Sequence, residues 1–258
     1  GFKIMIGDMP ITPAELDALR SAMESGEFAD GLGSYTRADL TQDYEAALLE
    51  AFSLHTARHV VVDAGNGSNW YLVPRLLEER GQRVERLYCT PDGTFPNRDP
   101  NPSQAANLAS LRERVLATGA ELGVAYDGDG DRVILVDGRG RVQPADRTLV
   151  LLVRHLLREA PGASVVYDLK SSSIVAEEVT AAGGVPIMER PGHTFIKGRL
   201  LAENAILAGE LSGHYFFRAT RGDDALYATL LFLHVLDRLD ATLAEAIDTV
   251  PAYPSTPD

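Results

Sequence analysis

The sequence predicts an α/β protein with helices packed on sheets, built as two consecutive blocks that meet near residue 142. Three observations predict it. Short β-branched runs such as "HVVVD" and "SVVYD" alternate with longer segments whose apolar residues recur every three or four positions. Glycine-rich turns separate the two kinds of segment. After "PGAS" the strand–helix rhythm starts again.

The elements follow in order. "FKIMIG" reads as a strand. "ITPAELDALRSAMESGEF" reads as a helix, with Thr12 as N-cap, Pro13 at the first helical position and Glu15 closing a capping box. The polar, glycine-rich "ADGLGSYTRAD" is a linker, and "QDYEAALLEAFSLH" is the next helix. "RHVVVDAGNGSNWYLVPRLLEERG" combines a strand, a glycine turn and a helix ending at Gly81, and "QRVERLYC" is a second strand. "TPDGTFPNRDPNPS" is too dense in Pro, Gly, Asn and Asp to be anything but loop. "NLASLRERVLATGA" is a helix with Asn107 as N-cap and Gly119 as stop. "ELGVAYDGDGDRVILVDGRGRV" places strands on either side of an aspartate loop, with Asp137-Gly138 turning into a third, and "ADRTLVLLVRHLLREA" is an apolar helix. In the second block "SVVYDL" and "VPIME" are strands, and "SSSIVAEEVTAAGG" and "GHTFIKGRLLAEN" are helices. "AILAGELSGHYFF" gives two short strands around a turn, and "DDALYATLLFLHVLDRL" a long buried helix.

Composition sets limits on partners. The net charge of −13 would repel a phosphate backbone, and the three lysines, at 3, 170 and 197, form no basic patch, so nucleic acid is not expected. No run reaches the roughly 18 apolar residues of a membrane span, and no secretion signal opens the chain. A single Cys89 rules out an intrachain disulfide and suits a reducing, cytoplasmic setting. The chain opens without methionine on a strand-like pattern, so it is expected to be part of a longer protein.

The densest chemistry lies in "AYDGDGDRV". Asp127, Asp129 and Asp131 alternate with glycines at 128 and 130, whose conformational freedom lets three carboxylates turn toward one point. Such a hard-oxygen set suits Mg²⁺, Mn²⁺ or Ca²⁺ and favours Zn²⁺ less. Arg132 follows, with a guanidinium suited to a phosphate oxygen. An EF-hand loop fails, because Arg132 and Gly138 stand where its glycine and glutamate belong. A haloacid-dehalogenase-type phosphatase with Asp127 as nucleophile, and a plain solvated Asp-Gly hairpin tip, stay open.

Other stretches are less specific. "DAGNGSNW" has Gly65 and Gly67, but Trp70 stands where a dinucleotide fingerprint needs its third glycine, so a tight strand-to-helix turn is the better reading. "GELSGHYFF" sets Glu210, Ser212 and His214 at alternate positions on one side, able to meet adjacent sugar hydroxyls. An ordinary turn with a surface histidine is its bland alternative. Gly192 and His193 follow a proline and open a helix, where backbone N–H groups favour an anion. Lys170 ends a strand. His55 and His59 read as exposed histidines on one helix, and His155 and His234 as core or boundary residues.

In this order, "DAGNG", "DGTFPNRDPNP", "DGDGDR", "DLK", "PGH", "GELSGH" and "YPSTP" resemble the α-D-phosphohexomutase family over nearly the whole chain. The resemblance implies consecutive three-layer αβα domains with mixed sheets. Residues 1–40 would close a first domain, 41–142 form a second, 143–253 a third, and 254–258 a hinge to a fourth. It implies interconversion of hexose 1- and 6-phosphates through a phosphoserine and a bisphosphate intermediate, with hexose 1,6-bisphosphate as activator of the complete enzyme. Asp127, Asp129 and Asp131 would hold Mg²⁺ (or Mn²⁺). Arg132, Lys170 and His214 would serve catalysis, and Gly192, His193, Glu210 and Ser212 would bind the sugar phosphate. Leu211 in the sugar loop is closer to the mannose/glucose branch than to the phosphoglucosamine branch. The family's phosphoserine loop and phosphate-clamping domain have no counterpart in these residues, so the chain alone is expected to bind without turnover. A non-catalytic, Mg²⁺-dependent sugar-phosphate-binding module is the rival from another class.

Overall fold

The computed structural model describes residues 4–253; the expected hinge at 254–258 lies outside them. The first strand-like stretch is a small hairpin, with β1 (Met5–Ile6) antiparallel to β2 (Met9–Pro10). Helix α1 (Pro13–Ser25) starts at the expected capping box: Thr12 N and Oγ1 donate to Glu15 Oε2, and Glu15 N donates back to Thr12 Oγ1. It stops at Gly26 with φ 69°, shorter than its hydrophobic pattern suggested, and none of its residues is buried. Helix α2 (Thr41–Ala51) also ends early. His55 therefore lies beyond α2, while His59 opens strand β3 (His59–Asp63), so the two histidines do not share a helix.

The first sheet has the order β4-β3-β5-β6, with β4 at Arg83–Leu87, β5 at Leu122–Tyr126 and β6 at Val133–Asp137. β3 runs parallel to β4 and β5, and β6 turns back antiparallel to β5. Helices α3 (Leu72–Glu79) and α4 (Ala109–Thr118) pack on it. Gly123 of β5 makes the α4 contact possible, since a Cβ there would sit 2.7 Å from Leu111 Cδ1 and 2.9 Å from Val115 Cγ2. Asn107 does not cap α4. A short 3₁₀ turn, Ala105–Leu108, precedes the helix, and the Asn107 amide donates to Asn101 O instead. Gly119 is the stop, with φ 67°. The third strand expected after Asp137-Gly138 shrinks to a single bridge between Val136 and Val142.

The second sheet has the order β11-β10-β9-β7-β8. β7 (Ser164–Asp168) is parallel to β8 (Val185–Glu189) and β9 (Leu207–Gly209), and β10 (Tyr215–Phe217) and β11 (Gly222–Asp223) are antiparallel. Period-2 alternation sorts its side chains into two layers. Val166, Ala208 and Phe216 pack with Ile196 and Leu200 of α7 (His193–Ala202). Val165, Tyr167, Leu207, Tyr215 and Phe217 join the main core, which includes α5 (Ala145–Glu159), α6 (Ile174–Ala181) and α8 (Ala225–Leu239). The architecture is thus three-layered α/β with mixed sheets. β11 and the last helix, α9 (Leu243–Asp248), were not apparent from the pattern.

Helix α8 belongs to both blocks. Ten of its residues are buried, and it packs against α5 and also against β6 of the first sheet. The Thr229 and Tyr126 hydroxyls meet at 2.5 Å. Its N-cap, Asp224, accepts from Tyr227 N and from the hydroxyl of Tyr44 on α2. Near its other end Asp237 accepts from His55 N at 2.7 Å and faces buried Arg58 at 3.4 Å. His155 and His234 sit edge to face at 5.4 Å between α5 and α8, boundary residues as expected. Among the described residues no helix is long and apolar enough to cross a membrane.

Candidate functional site

The polar residues singled out above gather where the parallel strands of both sheets end, the edge at which α/β folds place ligands. Asp127 directly follows β5 and is 1% exposed. Its Oδ1 accepts from Gly130 N (2.9 Å) and Arg132 N (3.2 Å), and its Oδ2 accepts from Arg132 Nε (2.7 Å). Gly130 has φ 81°, which curls the loop around this carboxylate. Asp127, Asp129 and Asp131 each offer one oxygen, all within 4.8 Å of one another. Burial, followed by the Asp131 charge, pushes the Asp127 carboxyl up to about 6 against the opposing hydrogen bond from Arg132. A carboxyl held up by its neighbour is relieved by a cation, so the donor set fits a hard divalent ion.

Two loops brace this one. The glycine turn after β3 lies against it: Ser68 N donates to Gly128 O (3.0 Å) and the Asn69 amide to Gly130 O (3.1 Å). A Cβ on Gly67 would stand 2.7 Å from Asp127 O, so only glycine allows this approach. "DAGNG" therefore buttresses the aspartate loop. From the proline-rich loop, Arg98 Nε donates to buried Asp63 (2.8 Å) and its Nη2 to Tyr126 O (2.7 Å). Asn101 Oδ1 accepts from Arg132 Nη1 (3.0 Å). Arg132 thus spends part of its fork on Asp127 and Asn101 and keeps its side chain a quarter exposed.

The sugar-loop candidates face these carboxylates from the second sheet. Arg132 and His214 form an antiparallel backbone bridge, and Val133 N donates to Gly213 O (3.0 Å). His214 Nε2 lies 3.4 Å from Asp131 Oδ1, while its Nδ1 lies 3.0 Å from Glu210 Oε2 and 2.9 Å from Ser212 Oγ. Burial alone would lower the His214 pKa. Asp131 and Glu210 outweigh it and raise the imidazole to about 9, so the ring carries charge at neutral pH. Burial pushes Glu210 up, but His214 and the Gly192 N–H prevail and hold it below the usual carboxylate range.

Gly192, with φ 126°, caps α7 and donates its N–H to Glu210 Oε1 at 2.7 Å, so it positions the sugar loop. His193 Nε2 pairs with Asp223 Oδ1 at 2.9 Å, and its ring is 6.2 Å from that of His214. Lys170 follows β7 by two residues and is exposed at the same strand edge. Among the described residues it makes no hydrogen bond or ion pair to the cluster, unlike its neighbour Asp168, which accepts from Leu211 N (3.1 Å) and Ser171 N (2.9 Å).

Three participants escaped the sequence reading: Asp223, Asn101 and Asp168. Asp223 read as part of a helix, and only the short strand β11 turns it toward His193. Asn101 lay within a motif quoted as a block. Asp168 had a signal, since it ends the strand that also presents Lys170.

Two mixed αβα units whose facing loops share one carboxylate–imidazole cluster define a tandem α/β protein with its polar site at the strand ends. Residues 42–140 match the family described as phosphoglucomutase/phosphomannomutase, alpha/beta/alpha domain II, and residues 144–253 match alpha/beta/alpha domain III. The chain belongs to the phosphoglucomutase/phosphomannomutase family. It is 35% identical over 260 residues to a phosphomannomutase/phosphoglucomutase of Pseudomonas aeruginosa, covering 100% of this chain and 56% of that protein. A phosphoglucomutase of Neisseria meningitidis is 36% identical over 262 residues, with 100% and 57% covered. A crystal structure of a family protein from Burkholderia thailandensis superposes with a TM-score of 0.91 at 36% identity, covering 96% of this chain and 54% of that one. The chain spans about half the length of these relatives.

Proposed function

We propose that these residues form the metal- and sugar-binding centre of a phosphohexomutase that moves a phosphoryl group between the 1- and 6-positions of mannose or glucose. The observation that carries the reading is the cluster at the domain junction, where His214 stands between Asp131 of one loop and Glu210 of the other. A phosphoryl acceptor must meet a cation-binding centre and a hydroxyl-binding centre together, and this junction offers both within one side-chain length.

Asp127, Asp129 and Asp131 would hold Mg²⁺, or Mn²⁺, which when bound neutralises charge on a transferring phosphoryl group. Glu210 accepts from sugar hydroxyls, and Ser212 supplies a group that both donates and accepts. Charged His214 and neighbouring His193 would hold or move the proton of the reacting hydroxyl. Arg132 and Lys170 supply fixed positive charge for phosphate oxygens, as the resemblance implied. The second domain, 41–142, would then carry the cation and the third, 143–253, the sugar. The phosphoserine, the activating hexose 1,6-bisphosphate and the clamp on the distal phosphate belong to the complete mutase.

Phosphatase chemistry at Asp127 is the weaker reading. Both of its oxygens already accept hydrogen bonds and its side chain is buried, which is a poor arrangement for attack on phosphorus. Calorimetric titration with glucose 1-phosphate in the presence and absence of Mg²⁺ tests the proposal. Binding that needs Mg²⁺ and is weakened by Asp129→Asn and by Glu210→Gln is the expected result. Release of inorganic phosphate abolished by Asp127→Asn would assign the phosphatase instead. A glucose 1-phosphate affinity indifferent to both substitutions would remove the site altogether.

A further inference from the structure

We infer that the junction between the two loops is a second divalent-cation site, formed by Asp131, His214 and Asp223, that takes a late first-row ion such as Zn²⁺. One donor atom from each of these residues lies within 4.8 Å of the other two, and all three side chains are half-buried. The ligands come from both blocks, Asp131 from the loop after β5, His214 from the turn just before β10 and Asp223 from β11.

The spacing is the first argument. A charge-assisted N–H···O⁻ hydrogen bond closes to about 2.7–2.9 Å, yet His214 Nε2 and Asp131 Oδ1 stand 3.4 Å apart. Two donors held at about 2.0–2.2 Å on a tetrahedral ion are separated by roughly 3.3–3.5 Å. The gap is long for the hydrogen bond and right for two corners of a tetrahedron.

Orientation is the second. Metal-binding imidazoles almost always rest their other nitrogen on a carboxylate or carbonyl. Here Glu210 holds Nδ1 of His214 and leaves Nε2 toward Asp131. His193 steadies Asp223 in the same way, from outside the triad. The donor set supplies the selectivity: one imidazole nitrogen with two carboxylates favours Zn²⁺ or Co²⁺, whereas the all-oxygen triad of the aspartate loop favours Mg²⁺.

The two sites share Asp131 and so compete for it. A Zn²⁺ ion would take the place of the Nε2 proton, which leaves to solvent, and so would also tie up His214. Its binding is independent of the proposed mutase reading; that it inhibits is a consequence that rests on that reading.

Cobalt(II) added to the purified chain is the probe, because a low-coordinate Co²⁺ site absorbs visible light far more strongly than an octahedral one. A strong band is expected, lost in both Asp223→Asn and His214→Asn, kept in Asp129→Asn, and displaced by Zn²⁺. In Glu210→Gln the Zn²⁺ affinity is expected to fall about 10–100-fold. Only weak octahedral absorption, or a band that survives in Asp223→Asn but vanishes in Asp129→Asn, would overturn the inference by placing the ion in the aspartate loop. Failure of glucose 1-phosphate to bind, with the Co²⁺ band intact, would count against the mutase reading alone.

Discussion

Replacing Arg98 by methionine should cost the fold about 3–5 kcal/mol, because it strands a buried carboxylate. Asp63 ends β3 with no exposed side-chain surface, and Arg98, itself 4% exposed, is its ion-pair partner at 2.8 Å. Burial already pushes the Asp63 carboxyl up, and the Arg98 charge and hydrogen bond oppose that rise. Without the guanidinium, among the described residues the Gly65 N–H alone remains on Asp63, at 2.8 Å. Removing one partner of a buried pair typically costs the stated amount, since the other charge is left uncompensated. At about 2–4 °C per kcal/mol for a chain near this length, Tm should drop by roughly 6–20 °C. The single Trp70 is a convenient reporter, lying in the 3₁₀ turn Ser68–Trp70 that hydrogen-bonds the aspartate loop. Urea titration followed by its fluorescence gives the free energy. The unfolded state is common to both chains, so the deficit follows their folded-state carboxyls: it is largest at high pH and shrinks as pH falls through the variant's further-raised value toward the parent's, which itself lies above the unfolded value of about 3.9. Adding Asp63→Asn to the same chain should recover much of the loss. A single variant within about 1 kcal/mol of the parent, or a double variant no better than the single, would refute the reasoning.

Other positions give independent checks. Backbone N–H groups of His55 and Thr56, with Arg58 nearby, hold the Asp237 carboxyl below the usual range despite its burial. Asp237→Asn should therefore cost about 1–3 kcal/mol at neutral pH. The difference should begin to fade as pH drops below about 3.9, where the unfolded chain takes up the proton first, and should be lost once pH falls through the lower folded-state value; an equal deficit at pH 7 and pH 3 in urea titrations would contradict this. Gly67→Ala should push its methyl into Asp127 O and Gly128 O, both backbone atoms within 2.8 Å, and displace the aspartate loop. Calorimetry should show Mg²⁺ affinity falling at least tenfold, whereas the same substitution at Gly81, with open space around its Cβ position, should leave affinity unchanged.

Much of this was legible in the residues because local chemistry and tertiary packing agree. The capping box at Thr12 and Glu15, the stop at Gly119 and the β-branched runs of β3 and β7 each form where their own side chains dictate. The aspartate loop could be read because three carboxylates in five residues have few other uses. What stayed hidden depended on distant partners. Asn107 looks like a cap, but Asn101 O recruits its amide and the helix starts later. Asp223 could be placed only once β10 supplied a neighbour for β11, since a two-residue strand has no period of its own. Gly192 was legible as a helix opening, but nothing nearby reveals that its N–H goes to Glu210, 18 residues on. Helix α1 shows the converse, an amphipathic pattern with no buried face among the described residues.

The rung between Arg132 and His214 is made of main chain, and that gives the two loops a fixed gauge. Side-chain substitutions on either loop can change what is held there without changing the separation at which it is held. Helix α8, spanning both cores, makes the same spacing stiff from behind. Any motion should then hinge outside this junction, with the two blocks travelling as one body and keeping their measure constant.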